Sequence, residues 1–220
     1  MAEITRKELV LGLIGASYQP RLAGLDLSGM DLSHLALGYA ILSRSDLIGS
    51  DLTRTDLTGA DLSHANLSNA LLQSANLSSA NLTAVELRNA KLGKANLTWV
   101  CLDRAILIGA NLSEADLAHA TLVCAELKDA LLVRSRLVGA DLHEANLTHA
   151  NLTNADLTGA NLSKANLTNA DLSGAILLKA NLQGATVTPI QLSQAASLDG
   201  AIRPDGSLEN RMAQVREIHV

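Results

Sequence analysis

The chain has 220 residues and a formal net charge of −5, and 48% of it is hydrophobic, yet it contains no Phe, one Trp and two Tyr. Irregular cores use aromatics to fill odd spaces, so a core built almost wholly from Leu and Ala needs a lattice in which one side-chain shape fits everywhere. That composition excludes an ordinary mixed α/β enzyme, the mild charge excludes a polybasic nucleic-acid binder, and no apolar run reaches the length of a membrane-spanning helix.

At the N-terminus, Arg6 and Lys7 precede an apolar run from Leu9 to Ala16, a faint likeness to a secretion signal. Glu8 stands at the mouth of that run, and no convincing small-x-small cleavage site follows it. The favoured reading is a helix. Thr5-Arg6-Lys7-Glu8 has capping-box spacing and predicts a short helix through about Ala16, with Tyr18 to Gly24 leading onward. Residues 1–24 are therefore expected to form a cap on the structure that begins at Leu25.

From Leu25 to Pro189 the sequence divides into 33 consecutive five-residue units without insertion or deletion. The third position is Leu in 32 of them, with Val187 the exception, and the first is Ala in 24. Second positions are mostly Asp or Asn, and the last two favour Ser, Thr, Gly, Asn and His. A period of five suits neither regular structure. In an α-helix each such step turns the side chain by about 140°, so the leucines would share no face. In a straight strand an odd period throws successive leucines to opposite sides. Every Leu stays on one side only if the chain turns once per unit. First and third positions then point inward together, second and fourth point outward, and the fifth lies at the corner.

Beyond the repeat, Thr188-Pro189-Ile190-Gln191 again has the spacing of a capping box, with Pro in the first turn, and predicts a helix to about Ala196. Leu198 to Ile202 and a Pro204-Asp205-Gly206 turn come next. The expected division is a helical cap over 1–24, the repeat over 25–189, a helical cap and turn over 190–206, and a polar tail over 207–220.

The unit Ala-(Asp/Asn)-Leu-x-x, unbroken over three quarters of the chain, resembles the pentapeptide-repeat family, and the stretch through Gly206 is similar to the closing segment of cyanobacterial members. The resemblance implies an all-β solenoid, a right-handed quadrilateral β-helix with four units per coil. Thirty-three units then make about eight coils and a rod about 40 Å long. The family allows Phe or Leu at the central position, whereas this sequence uses no Phe.

Candidate chemistry is sparse. His34, His64, His119, His143 and His149 lie in the repeat, but no two are 20 residues apart, as stacked metal ligands would be. Cys101 and Cys124 fall at second and fifth positions in adjacent coils, an offset unsuited to a strain-free disulfide, and two cysteines make no disulfide framework. No phosphate loop, nucleophile elbow or zinc spacing occurs. Neither a catalytic residue nor a cofactor is assigned. Asp26, Asp31, Asp46, Asp51, Asp56 and Asp61 occupy second positions, where carboxylates hydrogen-bond nearby backbone.

Between Val85 and Gly139 the surface changes character. Arg88, Lys91, Lys94, Arg104, Lys128, Arg134 and Arg136 gather there, and outward positions carry Trp99, Ile106, Ile108, Val123, Leu131, Val133 and Val138. Exposed apolar side chains with arginine nearby are the composition of a protein contact. The candidate protein-binding residues are Trp99, Ile106, Ile108, Val123, Leu131, Val133, Arg134, Arg136 and Val138, forming a belt more than a single patch.

The expectation is a non-catalytic scaffold, regulatory in some settings, that binds a protein and neither nucleic acid nor membrane, as a monomer or weak dimer. The family resemblance supplies an alternative, inhibition of a type II topoisomerase by imitating DNA. Against it stand the missing Phe and a middle region with seven bases to six acids. Cysteine usage points to a reducing, cytoplasmic setting, with export or the thylakoid lumen as the alternative if the N-terminal segment is a signal.

Overall fold

Four five-residue units bring the chain back over itself. Asp46 bridges Asn66, Asn66 bridges Glu86 and Glu86 bridges Ile106, every one a parallel pairing 20 residues on. The structure, a computed structural model, describes residues 5, 7, 8, 10, 12 and 19–209. The bridges define four flat faces. Face I carries the second-position column through Asp46, Glu86 and Ile106, and face II the column through Asp51, Asn111 and Leu131. Face III carries Asp56, Asp116 and Arg136, and face IV carries Asp61, Cys101 and Thr121.

Inside, the leucines of successive coils stack. Every third-position Leu from Leu27 to Leu182 is at most 1% exposed, and the first-position Ala beside it is buried as well. Burying one such Leu contributes roughly 1.5–3 kcal/mol. Four first-position residues are polar, and their hydroxyls are satisfied: Ser45 donates to the Leu42 carbonyl at 2.7 Å and Thr55 to the Leu32 carbonyl at 2.8 Å.

The corner is sharper than the period alone conveys. Each turn closes with the next first-position N–H donating to the third-position carbonyl, as Ala70 does to Leu67 at 3.0 Å. The fifth residue adopts positive φ at every unit from Gly24 to Gly184, and twenty-four of those residues are not glycine. Positive φ at that place is the mark of a type II turn. It costs a non-glycine residue about 1–2 kcal/mol, which the burial of one Leu per unit together with the interstrand hydrogen bonds offsets.

Backbone pairing is close to complete. Within a typical unit, Leu67 N–H donates to Glu86 O, Asn69 N–H to Arg88 O and Asn66 N–H to Ser45 O, at 2.7 to 3.0 Å. Only the fourth-position N–H lacks a backbone acceptor in this scheme, and the second-position side chain supplies one. Ser68 N–H donates to Asn66 Oδ1 at 3.0 Å, and Thr158 N–H to Asp156 Oδ1 at 3.0 Å. This is the physical reason for Asp or Asn at the second position.

The parallel lattice reaches beyond the 33 units at both ends. Arg21 already bridges Ile41 and Leu22 is buried, so the lattice begins before residue 25. At the other end the helix is Pro189–Ser193, shorter than the expected run to Ala196. Ser197 and Ile202 then rejoin the lattice by pairing with Ile176 and Asn181, a register of 21 instead of 20 because the helix adds a residue. Thr188 and Gln191 form the capping box, and Gln191 Nε2 also donates to the carbonyls of Leu167 and Ala170 at 2.7 and 2.9 Å. The helix is thereby pinned to the last full coil. Near the N-terminus Lys7, Glu8, Val10 and Gly12 are helical, with Glu8 N–H donating to Thr5 Oγ1 at 3.3 Å. The rest of the expected first helix, and residues 210–220 of the tail, lie outside the described residues.

Candidate interaction surface

The fourth-position N–H makes the surface legible. Where the second position is Asp or Asn, that N–H has a side-chain acceptor two residues back, as in the pairs Thr53–Asp51, Ser113–Asn111 and Ser173–Asp171. Between residues 86 and 136, eight of eleven second positions are neither Asp nor Asn, against two of seventeen in the coils from 46 to 81 and from 141 to 181. The belt is where the structural solution is given up. A hydrogen bond contributes about 1 kcal/mol, so such a substitution costs the fold that bond unless another group supplies it, as Asp103 Oδ1 does for Val123 N–H at 3.0 Å, or the new side chain finds a partner, as Arg136 does in Asp116.

The candidate residues fall on different parts of the solenoid. Leu131 and Val133 lie on face II, Arg134 on the edge between faces II and III, and Arg136 and Val138 on face III, all on one coil. Leu131 is 41% exposed and Val133 and Val138 are half-buried. His119 N–H donates to the Val138 carbonyl at 2.9 Å, and the His119 ring stacks on Trp99, which is 63% exposed. Trp99 therefore joins that coil at the edge between faces III and IV. Ile106 and Ile108 sit half-buried on face I, and Val123 half-buried on face IV. One coil with its flanking aromatic edge forms a continuous surface; Ile106 and Ile108 form a second, and Val123 stands apart.

Charge on the main surface is partly committed. Arg136 Nη1 holds the Asp116 carboxylate at 3.1 and 3.2 Å, and Lys94 Nζ lies 3.5 Å from Glu114. Arg134, exposed between Val133 and Arg136, enters no ion pair among the described residues. In the sequence His119 stands only as a possible metal ligand. The signal that pairs it with Trp99 is nevertheless there, since 99 and 119 differ by one coil.

Apart from these surface residues, the polar side chains serve the solenoid. All six N-terminal aspartates accept the N–H two residues on, and they are spread over all four faces. Cys101 and Cys124 are both free thiols. Ser163 Oγ lies 2.8 Å from His143 Nδ1, and His143 Nε2 lies 3.4 Å from Glu144. This grouping of Ser, His and Glu is on a convex edge, and the same Ser163 hydroxyl also donates to Asn161 Oδ1 at 2.7 Å. Lys164, bonded at 3.1 Å, is the main reason the Glu144 carboxyl is held below its usual range. Among the described residues no cluster of His, Cys, Asp or Glu fits a metal ion, and no helix is long and apolar enough to cross a membrane.

Comparison with known proteins bears on the repeat as a whole. The family profile described as pentapeptide repeats matches in eight copies, from residue 26 to residue 188. HetL of the cyanobacterium Nostoc sp. strain PCC 7120, a pentapeptide repeat protein involved in heterocyst differentiation regulation, is 33% identical, with a TM-score of 0.58. The match covers 94% of this chain and 100% of HetL. Rfr23 from the cyanobacterium Cyanothece 51142 is 34% identical over 57% of this chain and 63% of its own, with a TM-score of 0.29. A thylakoid-lumen protein of Arabidopsis thaliana is 28% identical over 53% of this chain and 74% of its own, with a TM-score of 0.33. No curated protein sequence matches. The solenoid is the right-handed quadrilateral β-helix that the repeat implies.

Proposed function

The chain belongs to the pentapeptide-repeat family, and from that premise we propose that it is a non-catalytic scaffold that docks a protein partner. The docking surface is the coil from Leu131 to Val138 with the Trp99–His119 edge beside it. One observation carries this reading: in these coils, second positions exchange a backbone-capping Asp or Asn for Leu131 and Arg136. Leu131, Val133, Val138 and Trp99 would bury apolar area against a partner, and Arg134 would meet an acidic group there. HetL, similar over its whole length, is involved in heterocyst differentiation regulation, which supports a regulatory role for this chain. The test is affinity capture from native lysate. Wild type should retain a partner that a variant with Trp99→Ser, Leu131→Ser and Arg134→Ser loses. Equal capture by that variant and by wild type would remove this surface from consideration.

A further inference from the structure

Face I carries a second arrangement that the main surface does not use. Its second-position column reads Glu86, Ile106, Glu126 over three successive coils, and bridges join each to the next. Its fourth-position column over the same coils reads Arg88, Ile108, Lys128, with Asn89 N–H donating to the Ile108 carbonyl and Gly109 N–H to the Lys128 carbonyl, both at 3.0 Å. Arg88 and Lys128 are exposed, while Glu86, Ile106, Ile108 and Glu126 are half-buried. Among the described residues Glu86, Arg88 and Lys128 enter no ion pair within 4.0 Å. Glu126 Oε2 accepts from Asn146 Nδ2 at 2.7 Å, which leaves its other oxygen for a cation.

We propose that face I is a contact between two copies of this chain, lying side by side with their axes parallel. A two-fold axis running along the face, midway between the columns, brings each column against the other column of the second copy at the same height. Glu86 then opposes Arg88 of the second copy, Ile106 opposes Ile108, and Glu126 opposes Lys128, and each pair occurs twice, as an isologous interface requires. The edges agree. Glu144 faces His149 of the second copy, and Arg104 faces Gly109, over which the Asn89 side-chain oxygen leans as an acceptor. The antiparallel arrangement would set Glu86 against Glu126, so charge selects the parallel one.

The face is about 40 Å long and about 10 Å wide, roughly 800 Å² buried in total, below the ~1,200 Å² of stable complexes. The dimer is therefore weak. It leaves Leu131 to Val138 and Trp99 free, so a dimer would present two copies of the proposed partner surface.

Sedimentation velocity on the full chain from about 5 to about 500 μM, at low and high salt, tests this. Wild type should shift from monomer to dimer with rising concentration, with at least a tenfold weaker midpoint at high salt. Two charge-reversed variants supply the decisive control: Arg88→Glu with Lys128→Glu, and Glu86→Lys with Glu126→Lys. Each alone should stay monomeric, because like charges then oppose, and an equimolar mixture should dimerise, because every pair is again opposite. Monomeric wild type at the highest concentration would overturn the proposal. So would dimerisation of either variant alone, or a mixture that stays monomeric. Circular dichroism melts matching wild type establish that the variants are folded.

Discussion

Trp99 and His119 stack across adjacent coils with ring centroids 4.2 Å apart and planes 17° apart. Both are fifth-position residues held at positive φ, of 59° and 58°. The column continues to Gly139, where an added Cβ would lie 2.9 Å from His119 Nδ1. His119 thus leans over a glycine on one side and is covered by an indole on the other.

Gly139→Ala should therefore push the imidazole aside and loosen the stack, because the atom it meets is on a movable side chain and the turn already tolerates non-glycine residues. Trp99 is the only tryptophan in the chain, so its fluorescence reports the change without ambiguity. The emission should shift while the fold survives, with a loss of about 1–2 kcal/mol from positive φ. An unchanged spectrum would mean that His119 does not rest on Trp99 in solution.

The role of the second position is tested by two variants at one site. Asn166 Oδ1 accepts from Thr168 N–H at 3.0 Å and Thr168 Oγ1 at 2.6 Å. Asn166→Ala removes that acceptor and should cost about 1–2 kcal/mol. Asn166→Asp keeps it, and its column neighbours Asn146 and Thr186 are uncharged, so its stability should stay near wild type. Equal destabilisation by both would show that the side-chain acceptor is not what matters.

Acid should weaken the solenoid through the same groups. The Ser173 hydroxyl, then the Ser173 N–H and the Thr153 hydroxyl hold the Asp171 carboxyl below its usual range against a small opposing effect of burial. A carboxyl depressed in the folded state contributes stability that is fully present above its unfolded value near 4 and lost as pH falls through the folded value. The melting temperature should be flat from about pH 7 to about pH 5 and fall below about pH 4. Asp171→Asn, which keeps an oxygen acceptor and cannot titrate, should flatten part of that acid limb. An acid limb identical to wild type would show that Asp171 takes no part.

The C-terminal helix is short, and its attachment rests on Gln191, which completes the capping box and donates to two carbonyls of the last full coil. Gln191→Ala should leave those carbonyls short of a donor and lower stability by about 1–3 kcal/mol. Gln191→Glu keeps the capping acceptor but not the donor, and should recover only part of the loss. Thermal unfolding of the two variants separates cap from clamp.

Much of this architecture is legible in the residues. The period of five, with Leu inward and Ala beside it, dictates a chain that turns once per unit, and adding 20 to a residue number gives its neighbour above. That rule places Ile106 with Ile108 and Leu131 with Val133 on their faces. The positive φ at the corners is less visible, because Tyr39, Trp99 and Arg134 carry no propensity for it and adopt it only because closure demands a turn there. The register of 21 at Ser197 is not readable, since it depends on how much chain the helix Pro189–Ser193 takes up. The earlier entry point at Arg21 is readable, because Leu22 stands five residues before Leu27 at the inward position of one further unit. The loss of Asp and Asn from the belt's second positions is present in the sequence, but its meaning depends on the fourth-position N–H, which only the geometry exposes.

That the belt coil trades backbone capping for binding is tested by one variant measured in two ways. Leu131→Asn, Val133→Thr, Arg136→Asn and Val138→Thr together rewrite the belt coil in the pattern used elsewhere, giving the N–H groups of residues 133 and 138 a side-chain acceptor. Two such bonds add about 1–2 kcal/mol, set against the exposed Arg136–Asp116 pair, which contributes at most about 1 kcal/mol. Thermal unfolding and partner capture are then measured on the same preparation. The expected outcome is a melting temperature at or above that of wild type together with at least tenfold weaker capture. Undiminished capture by a variant that melts like wild type would refute the trade.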